Sequence, residues 1–289
     1  MPACITHNLF AKNVLKALPE RPESLDETAY LWGAQGPDFL FCHRYMPWMK
    51  GESLGAYGSK VHATTPSHTL NLMRDFLKTH SDPGYRSYVM GFLCHYALDS
   101  TGHPYINARS EEWAPLNPNQ TPGTMHGEIE SALDAIVLRR ETGKLPSEVP
   151  LKNMFPKNPG VQRQIAEIYQ VVLKGLFDLD AQLKDLYQAS QDAHTVFSCV
   201  TDRTGLKLKL MEKIESGKPH AISSHIVPLT EKADVDYANI QHEPWTVEGE
   251  TRKEDFFELM ELAQTKAVNF ITAFDSADLS ALTAEKPFG

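Results

Sequence analysis

The stretch HYALDSTGHPYI, residues 95–106, carries three ionisable side chains at four-residue intervals: His95, Asp99 and His103. On an α-helix, side chains with this spacing lie on one face, with neighbouring Cβ atoms about 5–6 Å apart. Imidazole and carboxylate groups at that separation can bind one metal ion, because their bonds to zinc are about 2.0–2.2 Å long. A buried His–Asp hydrogen bond is the alternative interpretation of this stretch when it is taken alone.

A second pair with the same spacing occurs in MHGEIESALDA, which contains His126 and Glu130. Ile129 and Leu133 stand beside Glu130 on the apolar stripe that should face the core. A carboxylate on such a stripe is costly unless it is paired or bound to a metal. The alternative is that Glu130 faces solvent.

Three further residues are candidates for metal binding or catalysis. His7 lies in the first turn of the first predicted helix, Asp38 follows a Gly-Pro turn in GAQGPDF, and His62 precedes the third predicted helix. Imidazole and carboxylate ligands suit zinc, and three protein ligands per ion leave a position open for water. Asp38 has an alternative interpretation as a turn or cap residue.

The elements that must position these residues are predicted to be helical almost throughout. The first helix covers ITHNLFAKNVLKAL, with Thr6 as its N-cap. Strand patterns are absent, so we predict an all-α fold, a bundle of about eight or nine helices. The other predicted helices cover residues 24–35, 65–80, 85–101, 125–140, 161–177, 181–215 with a break near Gly205, and 254–274.

Four long segments between these helices are predicted to be loops: residues 37–61, 105–124, 146–159 and 218–253. Loops this long are uncommon in a compact domain and are often functional. The last one contains Tyr237 and Trp245, which would be able to form an apolar wall over a site. We favour the other interpretation, a surface-packed loop with its own small cluster of polar residues.

The composition fits one globular domain spanning residues 1–289. Hydrophobic residues make up 42% of the chain, and the net charge of −9 gives little attraction to nucleic acid. The four cysteines show no CxxC spacing, and the sequence shows neither a signal peptide nor an apolar run of transmembrane length. A reducing cytoplasm is therefore the expected compartment, and the oligomeric state stays open.

The motifs THNLF, GPDF, HYALD followed by HPYI, and HGEIE occur in this order within the stretch from residue 6 to about residue 140. In these motifs the chain resembles the zinc-dependent phospholipase C family, which shares its fold with the fungal single-strand-specific nucleases. The resemblance implies an all-α bundle with a zinc cluster at one end.

When it is carried over residue by residue, the resemblance implies two zinc sites, and a third zinc site is the alternative. His43 is an alternative to His62 as a ligand. In secreted family members the third site is completed by an N-terminal tryptophan, which has no counterpart here, so we expect two zinc ions, with a third as the open alternative. The implied ligands are His62, His95 and Asp99 for the first zinc, His103, His126 and Glu130 for the second, and His7 with Asp99 for the third.

The same resemblance implies hydrolysis of a phospholipid head group by metal-activated water, with Asp38 orienting the water and taking its proton. A nuclease of the same fold is one alternative, which the acidic balance of the chain disfavours. A non-catalytic interaction module stabilised by metal is the other. We identify no membrane-binding helix in the sequence, so bilayer lipid is not assured as the substrate.

Overall fold

The structure, a computed structural model, describes residues 4–289. It is helical with one small hairpin, so the predicted all-α class is confirmed. The helices are α1 Cys4–Ala17, α2 Glu27–Gly33, α3 Gly55–His62, α4 Pro66–Leu77, α5 Pro83–Trp113, α6 Pro122–Thr142, α7 Pro159–Phe177, α8 Leu183–Val200, α9 Leu206–Ile214, α10 Phe256–Ala273 and α11 Leu279–Thr283. Short 3₁₀ helices cover Gly36–Cys42, Ala114–Leu116, Pro146–Glu148, Leu151–Met154 and Ser223–His225.

Helix α5 is the central element, and α1, α2, α6 and α10 pack around it. The backbones of α2 and α5 approach very closely through two glycines. A Cβ on Gly33 would lie 2.0 Å from the carbonyl oxygen of Tyr88, and one on Gly91 would lie 1.9 Å from that of Tyr30. This contact holds the α5 turn that precedes His95 firmly against α2.

Helix α5 is longer than the sequence predicts, because it continues past Thr101 and through Pro104 to Trp113. A proline inside a helix has no N–H to donate to the carbonyl four residues earlier and usually breaks it. Here the second half of α5 is held by tertiary contacts: Arg109 donates to Asn239 Oδ1 at 2.9 Å and to the Glu243 carbonyl at 3.0 Å. The loop prediction for 105–124 is therefore wrong over residues 105–113, which belong to α5, while residues 117–121 lie outside any helix.

The start of α1 is fixed by a side chain from another helix. Asp134 on α6 accepts hydrogen bonds from the backbone N–H groups of Ile5 and Thr6, at 3.0 and 2.7 Å, and from the Thr6 hydroxyl at 2.7 Å. The prediction that Thr6 is the N-cap is wrong, since the helix is already formed at Cys4. The carboxylate of Asp134 satisfies first-turn donors that a local cap would otherwise take.

The other predicted loops also contain structure. The 3₁₀ helix Gly36–Cys42 and α3 lie within residues 37–61, and two more 3₁₀ helices lie within 146–159. The break predicted near Gly205 is present, since α8 ends at Val200, Gly205 has φ of +73° and α9 begins at Leu206.

No strand is predicted from the sequence, yet residues 218–253 contain a short antiparallel hairpin. Its strands are β1 Trp245–Val247 and β2 Glu250–Arg252, with Trp245 opposite Arg252. The turn residues Glu248 and Gly249 both have positive φ, which is the geometry of a tight hairpin turn. Strands of three residues are too short to show the alternation by which strands are recognised in a sequence.

Candidate metal centre

One open pocket of about 300 Å³ lies where α1, α3, α5, α6 and the 3₁₀ helix Gly36–Cys42 meet. The structure brings all eight residues singled out in the sequence to this place. His95 is fully buried beneath the pocket. The other seven line it: His7, Asp38, His62, Asp99, His103, His126 and Glu130.

The carboxylate of Asp99 is the centre of this arrangement. Its Oδ2 lies 3.0 Å from His95 Nε2 and 3.5 Å from His62 Nε2. Its Oδ1 lies 3.2 Å from His7 Nε2 and 3.9 Å from His103 Nε2. Four imidazole nitrogens from three helices thus converge on one buried carboxylate, which is the geometry of a shared ligand.

A second cluster lies beside it and consists of His103, His126 and Glu130. The Oε1 atom of Glu130 is 3.6 Å from His103 Nε2 and 3.4 Å from His126 Nε2. The helices α5 and α6 bring these groups together, since α6 carries His126 and Glu130 one turn apart. Glu130 is buried, as its place on the apolar stripe predicts.

Asp38 lies close enough to the histidines to share a metal ion with them, which its predicted role as the base for the attacking water does not require. Its Oδ1 is 3.1 Å from His62 Nε2, and ligand atoms of Asp38, His62 and His95 all lie within 4.8 Å of one another. A second such group is formed by His7, His95 and Asp99. The assignment of Asp38 as a base rather than a ligand stays a prediction.

The alternative ligand His43 lies outside the pocket lining. Its Nδ1 accepts a hydrogen bond from the Leu54 N–H at 2.9 Å, and its carbonyl accepts one from the Ser53 hydroxyl. These contacts hold the loop between the 3₁₀ helix Gly36–Cys42 and α3. His68, on α4, is exposed. Of the two alternatives, the structure places His62 rather than His43 among the converging side chains.

The charges in the cluster shift the pKa values of its members. Burial lowers the pKa of His62, but hydrogen bonds and charge from Asp38 and Asp99 outweigh it and raise that pKa to about 10. Burial likewise opposes the effect of Asp99 and Glu130 on His103, whose pKa rises to about 9. Burial dominates at His95 and lowers its pKa.

The carboxylates shift in the opposite direction. Burial raises the pKa of Asp99, but the surrounding imidazoles of His95, His103 and His7 hold it well below its usual range. The same balance, with His126 as the main partner, holds the pKa of Glu130 well below its usual range. Asp99 and Glu130 are therefore anionic, and their buried negative charge requires compensation by protonated histidines or by metal ions.

A layer of hydrogen-bond acceptors orients three of the histidines. His62 Nδ1 donates to the Gly58 carbonyl at 2.8 Å, and His103 Nδ1 donates to the Phe288 carbonyl at 2.9 Å. His126 Nδ1 lies 3.0 Å from Asn107 Oδ1. Since a carbonyl only accepts, the proton stays on Nδ1 and Nε2 remains free to bind a metal.

Of these three hydrogen-bond partners, only Gly58 has a recognisable signal in the sequence. Gly58 precedes His62 by four residues on the same helix, a spacing that can be read from the sequence. Asn107 and Phe288 reach the site through the fold alone. Gly36 belongs to the predicted Gly-Pro turn, but its contact with the site is not evident from the sequence. It has φ of +54°, and a Cβ there would lie 2.2 Å from His95 Cδ2, so only glycine fits.

The donor set fits zinc. Two kinds of ligand, imidazole Nε2 and carboxylate oxygen, form three groups of three, and the groups face a pocket open to solvent. Such mixed nitrogen and oxygen sets are typical of zinc sites in hydrolases. A fourth group, His242 with Asp255 and Glu258, is on the exposed surface near the hairpin and away from the pocket lining.

Comparison with known proteins gives one match. The sequence profile of a family described as zinc dependent phospholipase C matches residues 6–191. No curated protein and no solved structure matches the chain. Within residues 4–289, no helix has both the length and the apolar character that crossing a membrane requires.

Proposed function

Because the chain belongs to the zinc-dependent phospholipase C family, we propose that it is a phosphodiester hydrolase that removes a phospholipid head group. The single observation that carries this proposal is the convergence of two ligand clusters on one open pocket, with Asp99 between them and Asp38 at the edge. Water is held there and attacks the phosphorus.

The ligand assignment follows the family resemblance and is supported by the distances around Asp99 and Glu130. His62, His95 and Asp99 would hold one zinc ion, and His103, His126 and Glu130 a second. His7, which lies 3.2 Å from Asp99, would hold a third zinc ion together with that carboxylate. Zinc bound in these positions would lower the pKa of water and neutralise the charge of the phosphodiester.

The residues of the chain then have two roles. The carboxylate of Asp38 accepts a hydrogen bond from the attacking water and takes its proton as the water oxygen bonds to phosphorus. The acceptors Gly58, Asn107 and Phe288 keep the histidine rings oriented. As the bond between phosphorus and the glycerol oxygen breaks, that oxygen takes up a proton from solvent in the open pocket, and Asp38 returns its proton to solvent. The products are diacylglycerol and a phosphorylated alcohol.

The pocket lining favours a single phosphodiester over a nucleic-acid strand. Among the described residues that line the pocket, there is no lysine or arginine, and Phe41 is the one aromatic side chain besides the histidines. A strand-binding groove combines positive charge with several stacking platforms. The nuclease alternative therefore has less support than the phospholipase.

The test is hydrolysis of a short-chain phosphatidylcholine or a chromogenic phosphodiester by the purified protein. We expect turnover that a chelator abolishes and zinc restores, with little cleavage of single-stranded DNA. Efficient cleavage of DNA with every lipid analogue untouched would establish the nuclease. No reaction with full zinc occupancy would establish a non-catalytic, metal-stabilised module.

Metal analysis gives an independent measurement. We expect at least two zinc ions per chain, because two separate ligand groups are present. Less than one equivalent of any transition metal after reconstitution would contradict the site assignment whatever the activity.

A further inference from the structure

Helix α9 exposes an apolar stripe to solvent. Leu206, Leu210 and Ile214 recur every four residues and therefore share one face. They are 68%, 57% and 60% exposed, among the most exposed large apolar side chains of the described residues. Three exposed apolar residues on adjacent turns of one helix form a patch, whereas single exposed apolar residues are common on protein surfaces.

The opposite face of α9 is fixed to the protein, so the stripe is not free to turn inward. Leu208 and Met211 pack against the core. Lys207 is also held, since its Nζ donates to the carbonyl of Thr201 at 2.7 Å. The helix is thus anchored with its apolar stripe outward.

Two other lysines of α9 flank the stripe. Lys209 and Lys213 are exposed and lie beside Leu206 and Leu210 on the helix. Although the chain has a net charge of −9, this surface of α9 combines cations with exposed apolar side chains. We call Leu206, Lys209, Leu210, Lys213 and Ile214 the α9 face.

The α9 face is connected to the metal pocket by two steps of packing. At the end of α9, Glu215 accepts hydrogen bonds from the N–H of Ile222 at 2.7 Å and from the N–H of Ser223 at 3.0 Å, which ties α9 to the 3₁₀ helix Ser223–His225. That 3₁₀ helix contacts α6, where the His225 ring lies 2.5 Å from a Cβ built on Gly127. Gly127 is the neighbour of the candidate ligand His126.

We propose that the α9 face docks on the surface of phospholipid membranes that contain anionic lipids. A short amphipathic helix binds such surfaces by inserting its apolar side chains at the headgroup level while its lysines contact anionic headgroups. This inference rests on the proposed function, because a hydrolase of membrane phospholipids must reach its substrate at an interface. The sequence predicts this helix but not which of its faces is exposed, since the exposed and buried faces both carry leucine.

The small area and the positive charge of the α9 face argue against a second copy of the chain as its binding partner. Stable interfaces bury about 800 Å² per partner, and three aliphatic side chains on a nine-residue helix supply only a fraction of that area. Two copies meeting through this face would also bring Lys209 and Lys213 of each copy together. Anionic headgroups remove that repulsion.

The experiment measures sedimentation of the zinc-loaded protein with vesicles of phosphatidylcholine alone or mixed with phosphatidylserine. One variant combines Leu206→Ser, Leu210→Ser and Ile214→Ser, and a second combines Lys209→Gln and Lys213→Gln. The matched control is Leu262→Ser, which removes a 47%-exposed leucine from α10. For the wild type and each variant, the rate of hydrolysis of monomeric short-chain phosphatidylcholine shows whether the metal site is intact.

We expect the wild type and Leu262→Ser to sediment with the mixed vesicles and less with phosphatidylcholine alone. Both α9 variants should bind the mixed vesicles about ten-fold more weakly, with their turnover of monomeric substrate equal to that of the wild type. Added salt should weaken binding of the wild type.

Three results would overturn the docking surface. In the first, the wild type stays in the supernatant with both vesicle types. In the second, the α9 variants sediment as the wild type does. In the third, light scattering shows a dimer that the serine variant dissociates, which assigns the α9 face to self-association. Loss of vesicle binding in the variants together with no hydrolysis by the wild type would support docking and contradict the proposed function instead.

Discussion

The Nδ1 atom of His103 lies 2.9 Å from the carbonyl oxygen of Phe288, a residue 185 positions further along the chain. The ring of Phe288 is fully buried, with its centroid 5.5 Å from that of His62 and 4.8 Å from that of Tyr96. One residue from the far end of the sequence therefore supports histidines of both ligand clusters. It lies outside the region 6–191 that matches the family.

Phe288→Ala should weaken zinc binding and destabilise the protein together. The backbone carbonyl remains, but the ring that anchors it is lost. Partners that orient metal ligands typically affect affinity by about 10–100-fold, and a buried phenylalanine truncated to alanine costs about 3–5 kcal/mol. Zinc titration with a competing chelator and thermal unfolding measure the two effects. Phe288→Leu, which keeps most of the volume, is the control and should be milder in both; zinc affinity equal to wild type in Phe288→Ala would contradict the role.

Asp38→Asn should keep the zinc content and lower turnover by on the order of 10²-fold or more, the usual scale for loss of a general base. The amide keeps the shape of the side chain but does not accept a proton. The measurement pairs elemental analysis with the rate on a chromogenic phosphodiester. Loss of a zinc equivalent would make Asp38 a ligand, in agreement with its 3.1 Å contact to His62, and unchanged turnover would remove it from the mechanism.

Asp99→Ala should lose zinc and fold stability together, because four histidines converge on this carboxylate and metal binding contributes folding energy. Glu128→Ala offers a comparison, since that carboxylate on α6 bonds Tyr237 at 2.7 Å without lining the pocket. Full zinc occupancy and an unchanged melting temperature in Asp99→Ala would show that the site is assigned wrongly.

Asp134→Ala should destabilise the protein and weaken any third zinc site. Its carboxylate holds the N–H groups of Ile5 and Thr6, and the next residue of α1 is His7. Leaving buried donors unpaired costs about 1–3 kcal/mol for each group. Chemical denaturation measures the loss, and Asp134→Asn, which retains an acceptor oxygen, should lose less. Equal stability of wild type and Asp134→Ala would rule out the anchor.

The metal-free protein should lose stability as pH rises above neutral. The pKa values of His62 and His103 are raised to about 10 and about 9 by their carboxylate partners, which overcome the opposing effect of burial. An imidazole with a raised pKa contributes stability that is fully present below its unfolded pKa, about 6.5, and is lost as pH approaches the folded value. Denaturation of chelator-treated protein between pH 7 and 10 tests this. Zinc-loaded protein should be less sensitive to pH, and a flat or rising profile without metal would contradict the prediction.

Local patterns in the sequence were enough to predict the helical class and to single out the residues of the candidate site. The apolar periodicity predicted the main helices, and the four-residue spacing of His95, Asp99 and His103 placed them on one face of α5. Such features can be read from a sequence because helical geometry relates positions a few residues apart in a fixed way. The family resemblance added the grouping of ligands, which spacing alone did not supply.

The tertiary structure decided what depends on contacts between distant segments. It carried α5 through Pro104, replaced Thr6 by Asp134 at the start of α1, and brought Asn107 and Phe288 to the histidines. It also turned one apolar stripe of α9 outward. None of these features is marked by a local sequence pattern. Each is stabilised by contacts with residues that only the complete fold brings within hydrogen-bond or van der Waals distance.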